Sequence, residues 1–67
     1  MKLDYFLNKY IIVEKKDGKK IEGILVDILN KEETDENVGY ISLVIRIDDE
    51  KFKNIHLIEI ESIGEVE

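Results

Sequence analysis

The stretch Ile11–Leu29, IIVEKKDGKKIEGILVDIL, decides how this chain folds. Before the Asp17-Gly18 pair, Ile11, Val13 and Lys15 fall on one side of an extended chain and Ile12 and Glu14 on the other. After the pair, Ile21, Gly23 and Leu25 share one side while Ile24, Val26 and Ile28 share the other. Two strand-like runs around Asp-Gly predict a hairpin, because Gly, and Asp at modest cost, accepts the positive φ that tight turns require. Lys15, Lys16, Lys19 and Lys20 therefore flank a hairpin tip. The second run is apolar on both faces, so both are expected to be covered, one by the core and one by a helix or a second subunit. Gly23 in mid-strand marks a sharp bend or a close approach of another backbone.

Working outward, Leu3, Phe6 and Leu7 recur at helical spacing with Tyr10 beyond them, which predicts a short amphipathic helix over residues 1–9. It is too short to stand alone. Residues 30–38, NKEETDENV, read as an acidic loop, and Gly39 to Asp48 as a strand with Ile41, Leu43, Ile45 and Ile47 inward and Tyr40, Ser42, Val44 and Arg46 outward. Asp48-Asp49-Glu50 forms a turn before a strand from Lys51 to Leu57. The inward phase then runs through Ile55 and Leu57 and resumes at Ile58 and Ile60, a slip that one regular strand cannot make. A bulge or single helical turn near Leu57 to Glu59 is expected to separate a fourth strand from a fifth. The expectation is a mainly β fold: the N-terminal helix, then a five-stranded, strongly bent antiparallel small barrel over residues 10–67, in a single domain.

The chain has 67 residues and no cysteine, proline or tryptophan. At that size a core is only just large enough to hold a fold without staples, and disulfides and thiolate metal sites are excluded. Residues 1–31 carry seven lysines against five acids, a balance of +2, whereas residues 32–67 carry three basic residues against eleven acids, −8. The net charge of −6 repels nucleic acid at long range, so any phosphate contact belongs to the first half. No apolar run reaches the length of a membrane span, and Asp4 and Asn8 interrupt the opening segment where a signal peptide would need apolar continuity. A cytoplasmic location is the expectation.

The same stretch resembles the first motif of the Sm-like (LSm) family: Ile11 and Val13 alternate, Asp17-Gly18 turns, and Ile21, the bending Gly23, Leu25 and Ile28 follow. The preceding FLNKY is similar to the end of that family's N-terminal helix. The resemblance covers about the first 30 residues and implies an Sm or SH3 type of barrel, ring assembly through edge strands, and contact with single-stranded RNA. Where the family places an Asp and an Asn after the second strand, this chain reads Leu29-Asn30-Lys31-Glu32. In the second-motif region it reads KNIHLIEIESI, with neither Arg-Gly nor Lys-His.

The candidate RNA-binding residues are thus Lys15, Lys16, Lys19 and Lys20 at the tip, Asn30 in the loop, and Tyr40 as the one stacking platform. His56, the only histidine, is expected to face solvent; nucleophilic catalysis would need Ser42 or Ser62 beside it, and nothing in the spacing requires that meeting. The acids 32–36 lack the ligand alternation and central glycine of a calcium loop. No catalytic residue, metal or cofactor is assigned. The sequence reads as a non-enzymatic binding module, a homo-oligomer that takes single-stranded RNA, or alternatively an adaptor or inhibitor whose acidic surface meets a basic protein.

Overall fold

The computed structural model describes residues 3–31 and 40–66. Within them lie a 3₁₀ turn at Leu3–Phe6, strands β1 (Tyr10–Lys15), β2 (Lys20–Lys31), β3 (Tyr40–Asp48) and β4 (Lys51–His56), a second 3₁₀ turn at Leu57–Glu59, and β5 (Ile60–Glu65). All neighbouring pairs are antiparallel, in one sheet ordered β4-β3-β2-β1-β5.

The predicted hairpin forms with a different turn. The Lys15 amide donates to the Lys19 carbonyl at 2.8 Å, the Gly18 amide to the Lys15 carbonyl at 2.9 Å, and only Gly18 takes a positive φ, 91°. That is a three-residue loop in which a turn is followed by one left-handed residue, so Asp17 is spared the conformation the sequence suggested for it. Asp17 instead accepts the Lys19 amide through Oδ1 at 2.9 Å.

Gly23 lies where the backbone of β3 comes close against β2. A Cβ there would strike the Arg46 carbonyl oxygen and come within 2.7 Å of Ile45 Cγ2. Beyond it, the β2–β3 register shifts between Leu25 and Asp27, so Val26 is an extra residue and the faces exchange. Ile28, expected outside with Ile24 and Val26, packs against the core instead. The core itself is Leu3, Ile11, Val13, Leu25, Leu43, Ile45 and Ile55.

Five further expectations are corrected. The N-terminal segment is no α-helix: Leu7 and Lys9 bond three residues back, to Asp4 and Phe6, and Asn8 at φ 66° turns the chain so that Asn8 and Lys9 exchange backbone bonds with Leu25. The barrel is not closed, because β5 pairs with β1 and β4 with β3, leaving β4 and β5 at opposite margins of the sheet. Ile47 leaves the inward row at a register shift between Arg46 and Asp48, and Ile58, in the second 3₁₀ turn, points out with 77% exposure while Ile60 keeps the core. Asn30 belongs to β2, opposite Ile41, and not to a loop. The expected acidic segment from Glu32 onward lies outside the described residues.

Candidate nucleic-acid interface

The four lysines sit together as expected, but they are not equivalent. Lys15 is half-buried, with its ammonium 3.4 Å from Glu59 Oε1 and 4.0 Å from Asp17 Oδ2. The Lys16 amide donates to the Glu59 carbonyl at 2.8 Å, which ties the tip to the second 3₁₀ turn. Between them opens a cleft of about 300 Å³ lined by Lys15, Lys16, Asp17, Ile58 and Glu59. Among the described residues, Lys16, Lys19 and Lys20 form no ion pair and are exposed. The Asp17 carboxyl titrates below its ordinary value near 3.8, chiefly because the Lys19 amide donates to its charged form.

The remaining two candidates lie elsewhere. Asn30 is ten residues along β2 from Lys20, roughly 30 Å of strand path, and Tyr40 pairs with Lys31 one position beyond it. A single copy therefore does not gather all six residues: the lysines occupy one end of β2, Asn30 and Tyr40 the other.

The structure does bring Ser42 and His56 together, with Oγ 2.9 Å from Nδ1 across the β3–β4 ladder. His56 is exposed, as expected, but Ser42 is only 5% exposed, so its hydroxyl is shielded from any substrate carbonyl. The pair satisfies a buried hydroxyl, which is the usual role of such a bond.

Two aromatic side chains escaped the sequence reading. Tyr10 and Phe52 are both exposed, and the registers put them in one row with Ile24 and Arg46 between them. Their positions along the chain are 42 residues apart, and only the pairing of four strands aligns them. Exposed Tyr5 is engaged differently: the Lys9 ammonium lies 3.4 Å from its ring centre and its hydroxyl donates to Glu65 Oε1 at 3.0 Å.

What the geometry defines is an open, five-stranded antiparallel β module with a cationic tip. Set against known proteins, the chain matches no family model, no curated protein and no solved structure. Among the described residues, no group of three or more His, Cys, Asp or Glu could hold a metal, and no helix is long and apolar enough to cross a membrane.

Proposed function

We propose that the chain is a non-enzymatic, Sm-like binding module that assembles edge to edge into a ring and holds single-stranded RNA. The observation that supports this reading is the pair of sheet margins. β4 and β5 end the sheet on opposite sides, and among the described residues neither outer edge is paired. Their chemistry is opposite: β4 carries Lys51 and Lys53, and β5 carries Glu61 and Glu65. An unpaired edge presents a row of amides and carbonyls that another strand completes, and opposite charge selects the other margin over a second copy of the same one. Such a head-to-tail contact closes into a ring when its rotation permits. Each copy then contributes one lysine tip, so a weak local charge is repeated around the assembly.

Sedimentation and an RNA titration test the two parts separately. Assembly predicts a species several times 7.9 kDa at micromolar concentration, and a lone 7.9 kDa species would overturn the ring. Oligo-U and oligo-A titrated at two salt concentrations should each saturate at the lower one; no saturable binding there would overturn the RNA reading. In that event the acidic β3–β4 turn, where Asp48, Asp49 and Glu50 line an open concavity, favours a basic protein as the partner.

A further inference from the structure

One row of side chains runs straight across four strands: Tyr10 of β1 opposite Ile24 of β2, Ile24 opposite Arg46 of β3, and Arg46 opposite Phe52 of β4. The chain neighbours Ile11, Leu25 and Ile45 are fully buried, so alternation places the row on the outer face of the sheet. Tyr10 is 47% and Phe52 57% exposed. Arg46, the only arginine, is half-buried and makes no ion pair among the described residues, although the protein is rich in acids. Three strand spacings of about 4.8 Å separate the positions of the two aromatics by roughly 14 Å, and Arg46 stands in the row between them.

We infer that this row is the stacking platform for single-stranded RNA, an inference that rests on the RNA reading above and places the bases on the sheet. Tyr10 and Phe52 each stack a base, and Arg46 holds the phosphate between them. The chemistry fits on three counts. Sheet surfaces bearing two or three aromatics take up two or three splayed bases. A planar guanidinium both stacks and forks onto phosphate oxygens, and among the described residues no carboxylate pairs with this one. Stacking is uncharged, so it works on a protein of net charge −6, where a grip of lysines must overcome the field of the whole molecule. Ile24 fills the middle of the platform and needs no ligand of its own. The lysine tip, lacking an aromatic neighbour, contributes only general attraction.

Salt dependence separates this platform from a lysine grip. One phosphate contact gives a slope of log affinity against log salt of about −0.7, and four lysine contacts about −3. The experiment is a fluorescence-anisotropy titration of the full chain with labelled oligo-A across a salt series, using Tyr10→Leu, Phe52→Leu, Arg46→Gln and a variant with Lys15, Lys16, Lys19 and Lys20 all changed to Ser. The expected result is a shallow slope near −0.7 and losses of about five- to a hundredfold for each leucine variant. Arg46→Gln should flatten the slope towards zero, and the lysine variant should bind nearly as the parent does. Because Phe52 lies on the margin strand, sedimentation of each variant checks assembly, and Tyr10→Leu, inside the sheet, tests stacking even where Phe52→Leu alters it. Unchanged binding by Tyr10→Leu and Arg46→Gln would overturn the platform. A slope near −3 abolished by the lysine variant would also overturn it while leaving the RNA reading intact; no saturable binding by the parent chain would remove both.

Discussion

At the scale of single residues, Gly23 and Asp17 hold the first hairpin in shape by different means. Gly23 is needed for space: its missing Cβ is the room in which the Arg46 carbonyl lies, and that carbonyl is backbone in a paired strand, which cannot rotate aside. Gly23→Ala should destabilise by about 1–3 kcal/mol, as overpacking does. For a domain this small each kcal/mol lowers the melting temperature by roughly 4–8 °C, which a thermal unfolding scan resolves. Asp17 acts through charge. Its carboxyl is stabilised as the anion in the folded hairpin by the Lys19 amide, so its folded pKa lies below its unfolded one near 3.8. The contribution is therefore present in full above about pH 4 and is lost as pH falls through the folded value. Unfolding curves of the parent and Asp17→Ala should differ by a constant amount from pH 7 to 5 and converge below about pH 3.8. A gap that widened on acidification would contradict the bond as the cause.

At the scale of elements, the sequence showed alternation well and backbone distortion poorly. Ile11, Val13, Leu43, Ile45 and Ile55 were legible as core, because period two is the direct imprint of a sheet with one buried face. The Leu57–Glu59 turn was legible for the same reason in reverse: the slip in phase between Leu57 and Ile60 has to be absorbed somewhere. Ile58 was misread as inward because a 3₁₀ turn carries one apolar residue around to solvent. At Val26 the distortion lies inside a strand with apolar residues on both faces, so the inward phase shifts without breaking the pattern, and at Ile47 it falls at the end of β3, where no further core residue follows to reveal the shift. The short N-terminal segment has apolar spacing that a helix and a 3₁₀ turn share, and the backbone bonds between Asn8, Lys9 and Leu25 decide between them. The outer row of Tyr10, Ile24, Arg46 and Phe52 was invisible for a different reason. Each member looks ordinary in its own strand, and the platform exists only once three registers are known together.

At the scale of the whole molecule, the two margins constrain how copies can join. Extending the sheet from β4 of one copy to β5 of the next must keep core faces aligned, so only registers that slip by two residues are allowed. Lys53 and Ile55 face the core side with Ile45 and Leu43, and Ile63 and Glu65 do so with Val13 and Ile11. One antiparallel register satisfies every pair at once: Lys53 opposite Glu65, Ile55 opposite Ile63, and Phe52 opposite Val66 on the outer face. A shift of two residues in either direction breaks the set, placing Lys53 opposite Ile63 in one case and Ile55 opposite Glu65 in the other. The Val66 amide already donates to the Tyr10 carbonyl at 2.9 Å, so this register would carry the outer row from Phe52 through Val66 to Tyr10 of the next copy. Lys53→Glu should therefore set like charges opposite each other at every interface, at a cost of about 1 kcal/mol per contact. That cost multiplies around a ring, and sedimentation should show the assembly shifting to monomer. The double variant Lys53→Glu with Glu65→Lys restores opposite charge in the same register and should restore the assembly. Rescue by Lys53→Glu with Glu61→Lys instead would place the register four residues away, and no rescue by either would mean that the margins do not meet through these charges.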